Sequence, residues 1–111
     1  MGDRANIKVC GAGDVYLYTH WAGTELPETL KQALMRDKSR WDDSPYLARI
    51  IFCEMVRADK DGTTGYGISG ECGDGADRVL TVDADTQVVT WSDGKTMSFQ
   101  EYIDSDEEID W

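Results

Sequence analysis

The run Asp14-Val15-Tyr16-Leu17-Tyr18-Thr19-His20-Trp21 constrains this chain more than any other stretch. Side chains in a strand swap faces at every residue, so Val15, Leu17, Thr19 and Trp21 share one face and Tyr16, Tyr18 and His20 share the other. The first set is the composition of a core face. The second has apolar bodies with polar tips, which suits a layer packed under a neighbouring element or a surface that stacks a ligand. A strand of this kind cannot stand alone, and the rest of the chain must supply partners in a sheet and a layer to cover the apolar face.

Upstream, Asn6-Ile7-Lys8-Val9 alternates in the same way, and Gly11–Asp14 is a turn, so the two strands are expected to form an antiparallel hairpin. Thr24 is the expected cap of a first helix whose stripe is Leu26, Leu30, Ala33 and Leu34. Ser44 and Pro45 open a second helix, with Ser44 as cap and Pro45 at the first helical position, on which Leu47, Ile50, Ile51 and Met55 make the apolar face. Trp41, between the helices, is expected to anchor the connection to the core. Strands follow over Thr64–Gly70, Arg78–Val82 and Gln87–Trp91, and Asp93-Gly94 turns the chain into Thr96–Phe99. Ser98 and Glu101 have the spacing of a capping box, so a helical turn is predicted over 99–103. The order ββααββββ predicts a two-layer α+β domain over residues 1–103, a mostly antiparallel sheet with both helices on one face, followed by an acidic tail over 104–111.

The formal charge of −11 on 111 residues disfavours direct binding to nucleic acid or to an anionic membrane. It is unevenly placed. Residues 31–60 carry seven basic and five acidic side chains, so this window is +2 and the remainder carries −13. No run reaches transmembrane length, and Cys10, Cys53 and Cys72 have neither metal-ligand nor CxxC spacing, so reduced cytoplasmic thiols are expected. Acidic turns at Asp59 and Asp83 have glycine where a calcium loop needs its twelfth-position Glu, and no metal or cofactor is expected. His20, the one histidine, has no nucleophile motif beside it, so the chain reads as a binding protein rather than an enzyme.

Arg4-Ala5-Asn6-Ile7, Tyr16–Gly23, Leu47-Ala48-Arg49-Ile50-Ile51 and Gly65-Tyr66-Gly67-Ile68 resemble a family of small uncharacterised proteins from phages, prophages and bacteria. That family has no established activity, and its phage context favours a small non-enzymatic protein that blunts a host defence system. Two binding modes fit. In the favoured one, an acidic, nucleic-acid-like surface including Asp104, Asp106, Glu107, Glu108 and Asp110, with Trp111 as an anchor, occupies a basic host protein. In the alternative, the chain sequesters a small anionic nucleotide, its base stacked by Tyr16, Tyr18, His20 and Trp41 and its phosphate paired by Arg40, Arg49 or Arg57. An exposed strand edge would also support a homodimer.

Overall fold

The computed structural model describes residues 2–11, 13–36 and 38–105. A six-stranded sheet is formed by β1 (Ala5–Cys10), β2 (Val15–Thr19), β3 (Tyr66–Ser69), β4 (Val79–Asp83), β5 (Val88–Thr90) and β6 (Thr96–Ser98), in the spatial order β3-β2-β1-β4-β5-β6. Helices α1 (Leu26–Arg36) and α2 (Ser44–Met55) cover one face, and a short α3 (Phe99–Asp104) closes the β6 end. This is the expected α+β class. The hairpin register places Ile7 opposite Leu17, and every strand neighbour is antiparallel except one. At the centre β1 runs parallel to β4, with Ile7 beside Leu80 and Val9 beside Val82.

Alternation sets which face each strand buries. Ala5, Ile7, Val9, Leu17, Leu80, Val82 and Val89 line up under the helices and are all but inaccessible. From above, α1 contributes Leu26, Leu30, Ala33 and Leu34, and α2 contributes Leu47, Ile51 and Met55, spacings that put each set on one helical face. Trp41 is the anchor expected between them. Its Nε1 donates to the Leu34 carbonyl at 2.9 Å, which satisfies an end-of-helix acceptor, and its ring meets Phe99 edge-on at 5.4 Å. At the far end the Tyr102 hydroxyl donates to the Pro27 carbonyl at 2.6 Å, and burial pushes that phenol well above its ordinary range.

Two helix starts differ from expectation. The cap of α2 is Asp43, whose carboxylate accepts from Tyr46 N–H, so Ser44 and Pro45 both lie inside the first turn. Thr24 does not cap α1. It sits in a 3₁₀ turn over Gly23–Glu25, and its N–H is taken by the Asp3 carboxylate at 2.9 Å. A side chain from before β1 therefore satisfies an amide of the turn that leads into α1, a partner no local pattern indicates. The buried Thr19 hydroxyl accepts from Ala22 N–H at 3.1 Å and turns the chain out of β2. The Ser98–Glu101 capping box is present as expected, with both reciprocal bonds formed.

Candidate binding face

Because both helices pack on the Val15–Leu17–Thr19 side, the other face of the sheet is left without a helical layer. It carries Asn6, Lys8 and Cys10 from β1, Tyr16 and Tyr18 from β2, Thr81 from β4 and Thr90 from β5, all on the same side by register. Tyr16 and Tyr18 are half-buried, and the Lys8 ammonium lies 5.7 Å from the Tyr16 ring centroid.

The two ends of this face differ chemically. At one end Asp14 lies 3.7 Å from Lys8 Nζ, and Asp83 is registered beside Cys10. Burial, with Asp14 nearby, pushes the Cys10 thiol up, whereas Lys8 is raised by the thiol and phenol that face it. At the other end His20 Nδ1 accepts from Arg4 Nε at 3.3 Å and lies 3.1 Å from the Tyr18 hydroxyl. Its ring meets Trp21 edge-on at 5.1 Å. A loop over residues 70–78 crosses this end, and Asn6 Nδ2 donates to the Asp74 carbonyl at 2.8 Å, which is how a polar side chain facing away from the helices comes to be 1% exposed.

Arg78 pins that loop to the N-terminal segment. Its guanidinium donates to the Asp3 carboxylate and, through Nε at 3.1 Å and Nη2 at 2.8 Å, to the Arg4 carbonyl. Arg78, helped by the Thr24 amide, holds the Asp3 carboxyl at about 2. Gly23 is small for the same reason, since a Cβ there would stand 2.5 Å from Arg78 Nη2.

The structure separates the seven residues of the nucleotide reading. Tyr16 and Tyr18 lie on the open face, with His20 at its end. Trp41, Arg40, Arg49 and Arg57 belong to the helical layer on the other side of the sheet, and Trp41 is buried there with its indole N–H already used. Arg57 is paired with Glu54 at 3.0 Å, and Arg40 with Asp43 at 3.7 Å. Arg40 also lies 4.6 Å over the ring of Tyr46, and Arg49 is exposed one turn further along α2. Of the acidic set, Asp104 ends α3 and is exposed; Asp106, Glu107, Glu108, Asp110 and Trp111 lie outside the described residues.

Lys8, Thr81 and Thr90 also lie on the open face and were not singled out by sequence. Lys8 had a signal, since it alternates with Ile7 and Val9. The two threonines had none without knowledge of which strands are neighbours.

An open cleft of about 310 Å3 lies between the β1–β2 turn and the start of α2, with Val9, Asp14, Val15, Pro45 and Ala48 in its lining. Among the described residues no group of three or more His, Cys, Asp or Glu side chains could hold a metal ion, and no helix is long and apolar enough to cross a membrane. Against protein-family models, curated proteins and solved structures, the chain matches nothing.

Proposed function

We propose that this chain is a non-catalytic binding protein that inhibits a host protein by docking a basic surface of that partner on the open face of its sheet. The observation that carries this reading is the half-buried Tyr16–Tyr18 pair on a sheet face without a helical layer, two phenols on the same face as Lys8 and near the carboxylates of Asp14 and Asp83. Tyrosine rings receive guanidinium and ammonium groups through their faces, and nearby carboxylates pair the same cations. Residues 61–95, which bear three strands of the sheet, carry seven acidic and two basic side chains, whereas 31–60 is +2, and this difference would steer a basic partner toward the strand layer rather than toward the helices. The resemblance to small phage and prophage proteins supports a host defence protein as the target.

The test is titration of an arginine-rich peptide into isotopically labelled protein, followed by amide and tyrosine-ring NMR shifts. Shifts centred on Lys8, Tyr16 and Tyr18, weakened at least tenfold by a Tyr16→Ala/Tyr18→Ala double change and by raised salt, are the expected result. Diffuse shifts that both changes leave alone would remove the open face from consideration.

Sequestration of a small anionic nucleotide is the second reading, and it moves to the helical layer. Arg40 stacked on exposed Tyr46, with Arg49 three residues beyond, is an aromatic and basic pair that a nucleoside phosphate could join. Nucleotide-induced shifts at Tyr46 and Arg49, with none at Tyr18, would favour it.

A further inference from the structure

The two edges of the sheet are finished differently. At β6 the ladder with β5 continues through Phe99 N–H to the Gln87 carbonyl at 2.8 Å, so Thr96 and Ser98 point their main-chain groups outward. Ser98 N–H is then taken by the Glu101 carboxylate at 3.0 Å, Lys95 precedes the strand, and α3 follows at once. Charge, a capped amide and an abrupt helix are devices that stop a strand from recruiting another.

At β3 none of these is present. His20 N–H bonds the Gly65 carbonyl at 2.8 Å, and the same register carries the bonded pairs through Tyr18 with Gly67 and Tyr16 with Ser69. Tyr66 and Ile68 therefore direct their N–H and C=O groups to the free edge, where no backbone group of the described residues meets them. Residues 62–70 contain no charged side chain and no proline, in a chain that is 30% charged. Neither does 15–24, which holds the neighbouring strand β2. On the helical side of β3, Ile68 is 61% exposed beside fully buried Leu17, while Tyr66 packs against the core.

We propose that β3 pairs antiparallel with β3 of a second copy about a two-fold axis through Gly67, so that two sheets join into one. The occupant is a second copy because the edge complements itself. With Tyr66 of one copy opposite Ile68 of the other, the outward amides and carbonyls of both residues are used on both chains, and each exposed Ile68 gains an aromatic ring as its cross-strand neighbour. Gly67 then faces Gly67 across the closely spaced pair, where no side chains collide. Charge makes the same choice. Two bodies of −11 repel over most of their surfaces, and a neutral edge is where they can approach. Joining the sheets also brings the two open faces side by side, so a partner would meet Tyr16 and Tyr18 from both copies. The pairing stands or falls independently of the partner assignment.

Analytical ultracentrifugation of the full chain over roughly 10 µM to 0.5 mM, the range suited to a small interface, reads the association directly. The expected result is a mass that doubles from 12.4 kDa with concentration, and doubles at lower concentration when salt is added, because screening removes repulsion. Ile68→Lys stays at 12.4 kDa. So does Ile68→Pro, which removes an outward N–H and leaves the bonds to β2 intact. Met35→Lys, a change at a residue 51% exposed on the helical layer, dimerises like the parent. Amide exchange slows with concentration at Tyr66 and Ile68. A parent chain that stays at 12.4 kDa in both salts, a dimer that survives both Ile68 changes, or one that salt dissociates would overturn the proposal.

Discussion

Replacing Arg78 with methionine keeps the unbranched apolar stem of the side chain and removes the guanidinium that clasps Asp3 and Arg4 to the 70–78 loop. Asp3 then loses the guanidinium that, with the Thr24 amide, holds its carboxyl at about 2 rather than the ordinary 3.8. That difference is worth about 2.5 kcal/mol at full strength, and solvent screening of a carboxylate that is 35% exposed cuts it to about 1 kcal/mol. Loss of the two bonds to the Arg4 carbonyl removes about another 1 kcal/mol. The expected total is about 2 kcal/mol, or a Tm lower by about 8 °C in a domain of this size. A lowered carboxyl pKa gives stability that is complete above the unfolded value and is lost as pH falls through the folded one. Urea melts of both proteins should therefore show the full gap at pH 5 to 7, narrowing from pH 3.8 toward pH 2 to about half. A gap of constant size across that window would refute the assignment of half the effect to the Asp3 charge.

Three further outcomes can be checked with the same material. Trp41→Phe removes the indole bond to the Leu34 carbonyl in the core and should cost about 1–3 kcal/mol more than Trp91→Phe, which removes the same ring area at a residue whose indole makes no such bond among the described residues; chemical denaturation followed by circular dichroism measures the difference. Gly65→Ala and Gly94→Ala both force alanine to positive φ, at 91° and 93°, costing about 1–2 kcal/mol each, but only the first places a Cβ 2.3 Å from Trp21, so it alone should cost still more and change the near-ultraviolet spectrum. Exposed Cys53 should be alkylated faster than Cys10, whose thiol burial has pushed up, as read by mass spectrometry of a timed iodoacetamide reaction at pH 8.

Period was a good guide to faces in this chain, and a poor guide to neighbours. Ile7 and Val9 against Lys8, and Leu17 against Tyr16 and Tyr18, announce which side each strand buries. Nothing in those runs says that β1 lies beside β4, because pairing is decided between segments and parallel strands leave no turn signal between them. Asn6 shows the limit: its alternation reads as solvated, and a loop some seventy residues away covers it. The capping of α2 fell one residue from expectation because Asp43 and Ser44 are both competent caps and the choice rests on geometry. The composite nucleotide site of sequence mixed two layers. Helices cover the apolar face, so residues of the helical layer cannot share a pocket with the phenols on the far side.

The parallel β1–β4 pair also dictates the order in which this molecule can come into being. β1 and β4 are the two central strands, but β4, the second neighbour of β1, begins only at Val79 and is brought in across the whole helical segment. Until then the β1–β2 hairpin and both helices exist without half of the sheet they rest on, and the loop that closes last is a long one, which slows folding. The chain should thus behave as a single cooperative unit rather than two halves joined at residues 56–65. Cutting it there should give fragments that are unfolded apart and regain the sheet when mixed, since the joins they need are made by hydrogen bonds between β1 and β4 and between β2 and β3, and not by the connection that was cut.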